Sequence, residues 1–132
     1  MTFAPCFILL YVAHLLADYP LQTDHQAEHK DDQSTAGWKA NLAHAGTHFL
    51  ASATLLAVGA AILDLNIGWT AAAAGLIWIG ATHSLIDRRW PIQWWMRHTK
   101  QPQFAEHGGA AHVDQTAHIT AIAIAAFGIA AA

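Results

Sequence analysis

Eight polar residues recur at one spacing in a strongly apolar sequence: His14 and Asp18, His44 and His48, His83 and Asp87, Asp114 and His118. Each pair stands at i and i+4, so in a helix its two side chains share a face, one turn apart. Imidazole and carboxylate groups ligate transition metals, relay protons and act as general acids and bases. Converging from several helices, they build the metal centres of helical bundles. A set this rich in histidine suits one or two ions of a divalent transition metal, Zn²⁺ first, with Fe²⁺ or Mn²⁺ as alternatives, better than Ca²⁺ or Mg²⁺.

Hydropathy defines the elements that must carry these pairs. The chain has 132 residues, 55% hydrophobic and 11% charged, against about 25% charged in a soluble domain. No Asp, Glu, Lys or Arg occurs in 1–17, 40–63 or 65–86, and 107–132 carries only Asp114. Such stretches approach or reach the ~17–25 residues of a membrane-spanning helix. They predict an all-α integral membrane four-helix bundle, a single transmembrane domain over 1–132, with helices at about 3–20, 41–63, 67–87 and 110–131. The first stretch is read as a span rather than a signal peptide, because no Lys or Arg precedes it and no small-residue cleavage site follows. Abundant Ala and Gly hold the mean hydropathy to +0.28 and allow helices to approach closely.

Charge orients the molecule. Lys30 and Lys39 fall in the loop 21–40, and Arg88, Arg89, Arg97 and Lys100 in the loop 88–109; these are all the basic side chains. The positive-inside rule places both loops in the cytoplasm and both termini outside, in a multi-pass protein of the inner or cytoplasmic membrane. Arg88 to Arg97 interleaves Trp90, Trp94 and Trp95 with Arg, and Pro91 suits the first turn of a short helix on the membrane surface. A net charge of −3 and a pI near 6.3 offer no basic field for nucleic acid. Cys6, the only cysteine, has no internal disulfide partner and reads as a small hydrophobe.

In that topology all four pairs lie toward the cytoplasmic ends of their helices. His14, His48, His83 and His118 form a deeper layer, with Asp18, His44, Asp87 and Asp114 about 6 Å nearer the cytosol. The pairs also repeat: 14 to 83 and 18 to 87 are each 69 residues, while 44 to 114 and 48 to 118 are each 70. Two pseudo-repeated hairpins about an axis along the membrane normal account for this. One buried His-x-x-x-Asp pair alone would be read as a hydrogen-bonded helix contact; four at matched depth favour a metal. A metal-free polar or proton-relay network and bis-histidine haem are the alternatives, the latter leaving three Asp unexplained. Since a metal-bound His donates its other N–H to a carboxylate or carbonyl, some of the eight belong behind the ligands, with Gln22 and Gln115 as further candidates there. His25, His29, His98, His107 and His112, and the acidic run Asp24, Glu28, Asp31 and Asp32, read as solvated surface. No Gly-x-Ser-x-Gly, phosphate-binding glycine loop or His-Glu-x-x-His occurs, and Ser84 is a weak nucleophile candidate.

The stretch His14-Leu15-Leu16-Ala17-Asp18-Tyr19-Pro20-Leu21-Gln22-Thr23-Asp24, with His44 and His48, His83-Ser84-Leu85-Ile86-Asp87 and Asp114-Gln115-x-x-His118, resembles the family called domain of unknown function 3307. The resemblance implies a small multi-pass membrane protein of bacteria or their phages and names no reaction. Small membrane-bound metal-dependent hydrolases share only Thr82-His83-Ser84 and lack a counterpart here to their Pro-Asp and Arg-Gly-x-Thr-His-Ser patterns.

The functional expectation is a buried metal centre near the cytoplasmic face. As an enzyme it would be a metal-dependent hydrolase, with Asp87 or Asp114 taking a proton from water and the loop 88–97 guiding a lipid or anionic headgroup. As a binding, carrier or structural protein it would saturate the metal with side chains. The orientation is directly testable in a Cys6→Ala background. Ser34→Cys and Gln103→Cys should react with an impermeant maleimide only in permeabilised cells, and a C-terminal reporter should be reached from outside. Labelling of position 34 in intact cells would reverse the topology.

Overall fold

The computed structural model describes residues 2–132, which contain helices and no strand. In chain order the helices are α1 (Phe3–Asp18), α2 (Asp24–His29), α3 (Thr35–Ile62), α4 (Trp69–Ile86), α5 (Trp90–His98), α6 (Pro102–Phe104) and α7 (Ala110–Ala130), with a kinked π-type turn over Ala105–Gly109 between the last two. By length and composition, α3, α4 and the segment Pro102–Ala130 are long and apolar enough to cross a membrane. The first helix is apolar but has 16 residues rather than the 18 expected of it. Pro20 explains the difference, because it has no N–H to continue the ladder, and Leu21 N takes the Leu16 carbonyl instead (3.0 Å). Gln22 Nε2 then donates to the Asp18 carbonyl (2.7 Å), supplying a partner that the helix end lacks.

The loop expected over 21–40 is more ordered than its polarity suggests. Thr23 opens α2 with a capping box closed by Gln26. Ser34 Oγ accepts from Gly37 N (3.0 Å) and starts α3 six residues before the expected boundary. The loop 88–109 carries the expected short helix, α5, with Pro91 in its first turn. Ile92 and Met96 are buried beneath α5 while Trp90, Trp94 and Trp95 face outward.

The four long helices pack side by side, α1 on α3, α3 on α4, α4 on α7 and α7 on α1. Their contact surfaces are built largely from small residues. A Cβ on Gly75 would meet Ile129, and one on Gly59 would run into Leu9. Cys6, Leu10, Leu56, Ile79, Ile122 and Ile129 fill the apolar part of the interior, so Cys6 is the buried small hydrophobe expected. Large apolar side chains including Ile8, Leu50, Val58, Ile77 and Phe127 point outward. This inversion of the soluble pattern is what a lipid-facing surface requires. A polar link sits between α3 and α4: Asn41 Nδ2 donates to the Ser84 carbonyl (3.1 Å) and Ser84 Oγ to Asn41 Oδ1. Ser84 is thereby engaged in helix pairing.

A buried arginine ties the first loop to the end of α4. Arg88 is 3% exposed; it donates to the carbonyls of Lys30 (2.9 Å) and Asp32 (2.7 Å) and lies over the Trp38 ring. Gly37 makes room for this strap, since a Cβ there would collide with the Asp32 backbone. Gly37→Ala should therefore destabilise the protein by about 1–3 kcal/mol, because backbone cannot yield as a side-chain tip can. Gly46→Ala, with nothing within 4 Å of the added carbon, should be neutral or stabilising by up to about 1 kcal/mol through helix propensity. Thermal unfolding of the two variants in one detergent checks the contrast, and equal melting temperatures would contradict it.

Candidate metal centre

The periodicity that makes each pair share a helical face brings all four pairs to one place. Asp18, at the end of α1, is the hub of one half. Its Oδ2 lies 3.2 Å from His14 Nε2, one turn back. Its Oδ1 lies 3.1 Å from His48 Nε2 and 3.2 Å from His44 Nε2, both on α3, and 3.8 Å from His83 Nε2 on α4. Asp87, capping α4, is the hub of the other. Its Oδ2 is 3.0 Å from His83 Nε2 and 3.4 Å from His44 Nε2, and its Oδ1 is 3.7 Å from His118 Nε2 on α7. The five imidazoles are almost wholly enclosed; the rings of His48 and His83 stack with centroids 3.4 Å apart.

Asp114 stands behind this group. Its Oδ2 is 3.3 Å from His118 Nδ1, which also faces the Asp114 carbonyl oxygen at 3.1 Å. Of the further candidates, Gln115 Oε1 reaches His14 Nε2 at 3.5 Å, whereas Gln22 serves the backbone of α1 instead of a ligand. His25, His98, His107 and His112 are exposed and His29 half-buried, outside the cluster as expected.

Donor atoms converge in three groups, each within 4.8 Å: His14, Asp18, His48 and His83; His44, His83 and Asp87; and Asp87, Asp114 and His118. Their chemistry fits a transition metal. His83 Nε2, Asp87 Oδ2 and His118 Nε2 are buried without any hydrogen bond, although His83 Nε2 and Asp87 Oδ2 face one another at 3.0 Å. Leaving a buried polar group unsatisfied costs about 1–3 kcal/mol. Asp87 Oδ2 has the Lys30 ammonium at 3.1 Å, so the two imidazole nitrogens, which fall in different donor groups, are the lone pairs that a cation would take up.

Two residues of the site carry no periodic signal and were not among the candidates for it. Lys30, beyond α2, places Nζ 3.1 Å from Asp87 Oδ2 and 3.4 Å from His44 Nε2. Arg88 fixes the backbone that delivers it. A sequence clue exists only for Arg88, which follows a site carboxylate directly. Beside the cluster a cavity of about 430 Å³ is lined by Lys30, Asp87, Arg89, Gln93 and Asp114, among others. Arg89 also pairs with Asp31 (3.3 Å).

No curated protein and no solved structure matches the chain. Residues 6–132 match the family model described as "Protein of unknown function (DUF3307)", a range that includes the four pairs, the strap and the cavity, and the chain belongs to that family.

Proposed function

We propose that this chain is a membrane-spanning four-helix bundle of two repeated hairpins, and that its cytoplasmic end holds a divalent transition metal, zinc before iron or manganese. On this reading it is a metal-dependent hydrolase of anionic esters at the membrane face. The repeat is supported by the matched spacing of the pairs, 69 and 70 residues, which the packing order accommodates. The orientation rests on the basic loops, because both lie at the end of the helices that carries the cluster.

The convergence of His14, Asp18, His48 and His83 carries the metal reading, and His118 marks a further donor position beside them. With its Nδ1 facing two oxygens of Asp114, the proton belongs on Nδ1, and the Nε2 lone pair is left free, buried and unpartnered. This is the arrangement by which a carboxylate orients a metal-binding histidine. Asp114 is then a positioning residue. The ion would supply Lewis acidity and a water acidified enough to attack at neutral pH. Asp87, which borders the cavity, is the group placed to take that water's proton. Lys30 and Arg89 on the same cavity favour an anionic substrate group, and the outward tryptophans of α5 suit a lipid interface.

One observation favours a second reading. The Lys30 ammonium against Asp87 neutralises a buried carboxylate without metal, as a polar or proton-relay network would. Elemental analysis of detergent-purified protein separates the two. Wild type should carry bound zinc, iron or manganese. His48→Ala and His83→Ala should lose at least nine-tenths of it. His25→Ala and His107→Ala should match wild type. Asp87→Asn should keep metal in the His14, Asp18, His48 and His83 group yet lose at least about 100-fold in turnover of chromogenic phosphate esters in mixed micelles. Metal-free wild type, or equal metal in His48→Ala, would leave only the network.

A further inference from the structure

We infer that Lys30 is a built-in cation occupying the second of two cation positions in the cluster, so that the centre takes one metal ion per chain, held by His14, Asp18, His48 and His83. The inference rests on the metal reading above.

Two of the three converging donor groups share Asp87, and the Lys30 ammonium is already among their atoms, 3.1 Å from Asp87 Oδ2 and 3.4 Å from His44 Nε2. A second ion bound there would lie next to that ammonium. At such separations two cations in a poorly screened interior repel strongly. The ammonium is also held in place. Its side chain is 14% exposed, and the backbone of residues 30–32 is fixed by two hydrogen bonds from Arg88.

Charge distinguishes the two hubs. Asp87 has a lysine; among the described residues no Lys or Arg reaches Asp18, whose charged-pair contacts are all imidazoles. In the register of the repeat, the counterpart of Lys30 is Lys100, 70 residues on, and Lys100 is exposed. The two halves thus carry a lysine at matching positions and only one turns inward. The carboxylate left without a lysine belongs to the four-donor group, the largest of the three. Lysine suits the other role, being a compact point charge that makes no demand on coordination geometry.

The test counts metal in the full chain, purified in detergent and equilibrated with buffered zinc. Wild type should bind one zinc ion. Lys30→Met and Lys30→Gln should bind two, the second lost again when either is combined with His118→Ala, and Lys30→Arg should bind one. Two ions in wild type overturn the inference without recourse to any variant, as does one ion in a folded Lys30→Met or Lys30→Gln protein. Zinc absent from wild type and from every variant overturns the metal reading itself, and this inference with it.

Discussion

Two carboxylates enclosed at the end of an apolar helix assembly impose the constraint around which this protein is organised. An ion moved from water into such a setting costs several kcal/mol unless partners replace its hydration. Asp18 and Asp87 meet that demand with imidazoles drawn from all four long helices and, at Asp87, with a lysine. Four of the five imidazoles reach a carboxylate on another helix, which ties the depth of each helix to that of its neighbours. Small residues in the helix contacts follow from the same requirement, because side chains as short as Asp and His converge only if the backbones come close.

The cluster was legible because it is written in the helical period. Residues four apart on four apolar segments must share a face, and once the segments pack with their polar ends together, the faces have one place to meet. All eight residues named from spacing alone are in or against the cluster. The short helix from Pro91 was legible for a comparable reason, since proline in a first turn is a local rule. The boundaries were less so. Hydropathy locates where a chain stops being apolar, whereas a helix stops where its backbone does, at Pro20 for α1 and back at the Ser34 cap for α3.

Lys30, Arg88 and Asn41 escaped because their roles are tertiary. Basic residues in a polar loop report on topology through composition, and nothing in the loop says which lysine folds back on the helices. Asn41 lies in an apolar segment with no partner at i+4; its partner is Ser84 on another helix. These are contacts of long sequence separation, which periodicity does not encode. The duplicated pattern even suggests equal treatment of the two loops, and the structure departs from it: one loop forms the strap over the cluster, the other the tryptophan-bearing helix beside it.

The adjacency of Asp87 and Arg88 ties two regions into one cooperative unit. One side chain ends in the cluster and the next, a single peptide bond away, grips the carbonyls of residues 30 and 32. The strap therefore cannot lift as an independent flap: releasing it strips Arg88 of buried partners and withdraws the cation from Asp87 in the same motion. Local opening here costs close to what opening the whole polar end costs. Amide hydrogens of the strap, although they belong to a surface loop, would accordingly exchange with solvent at rates set by the helix ends they cover.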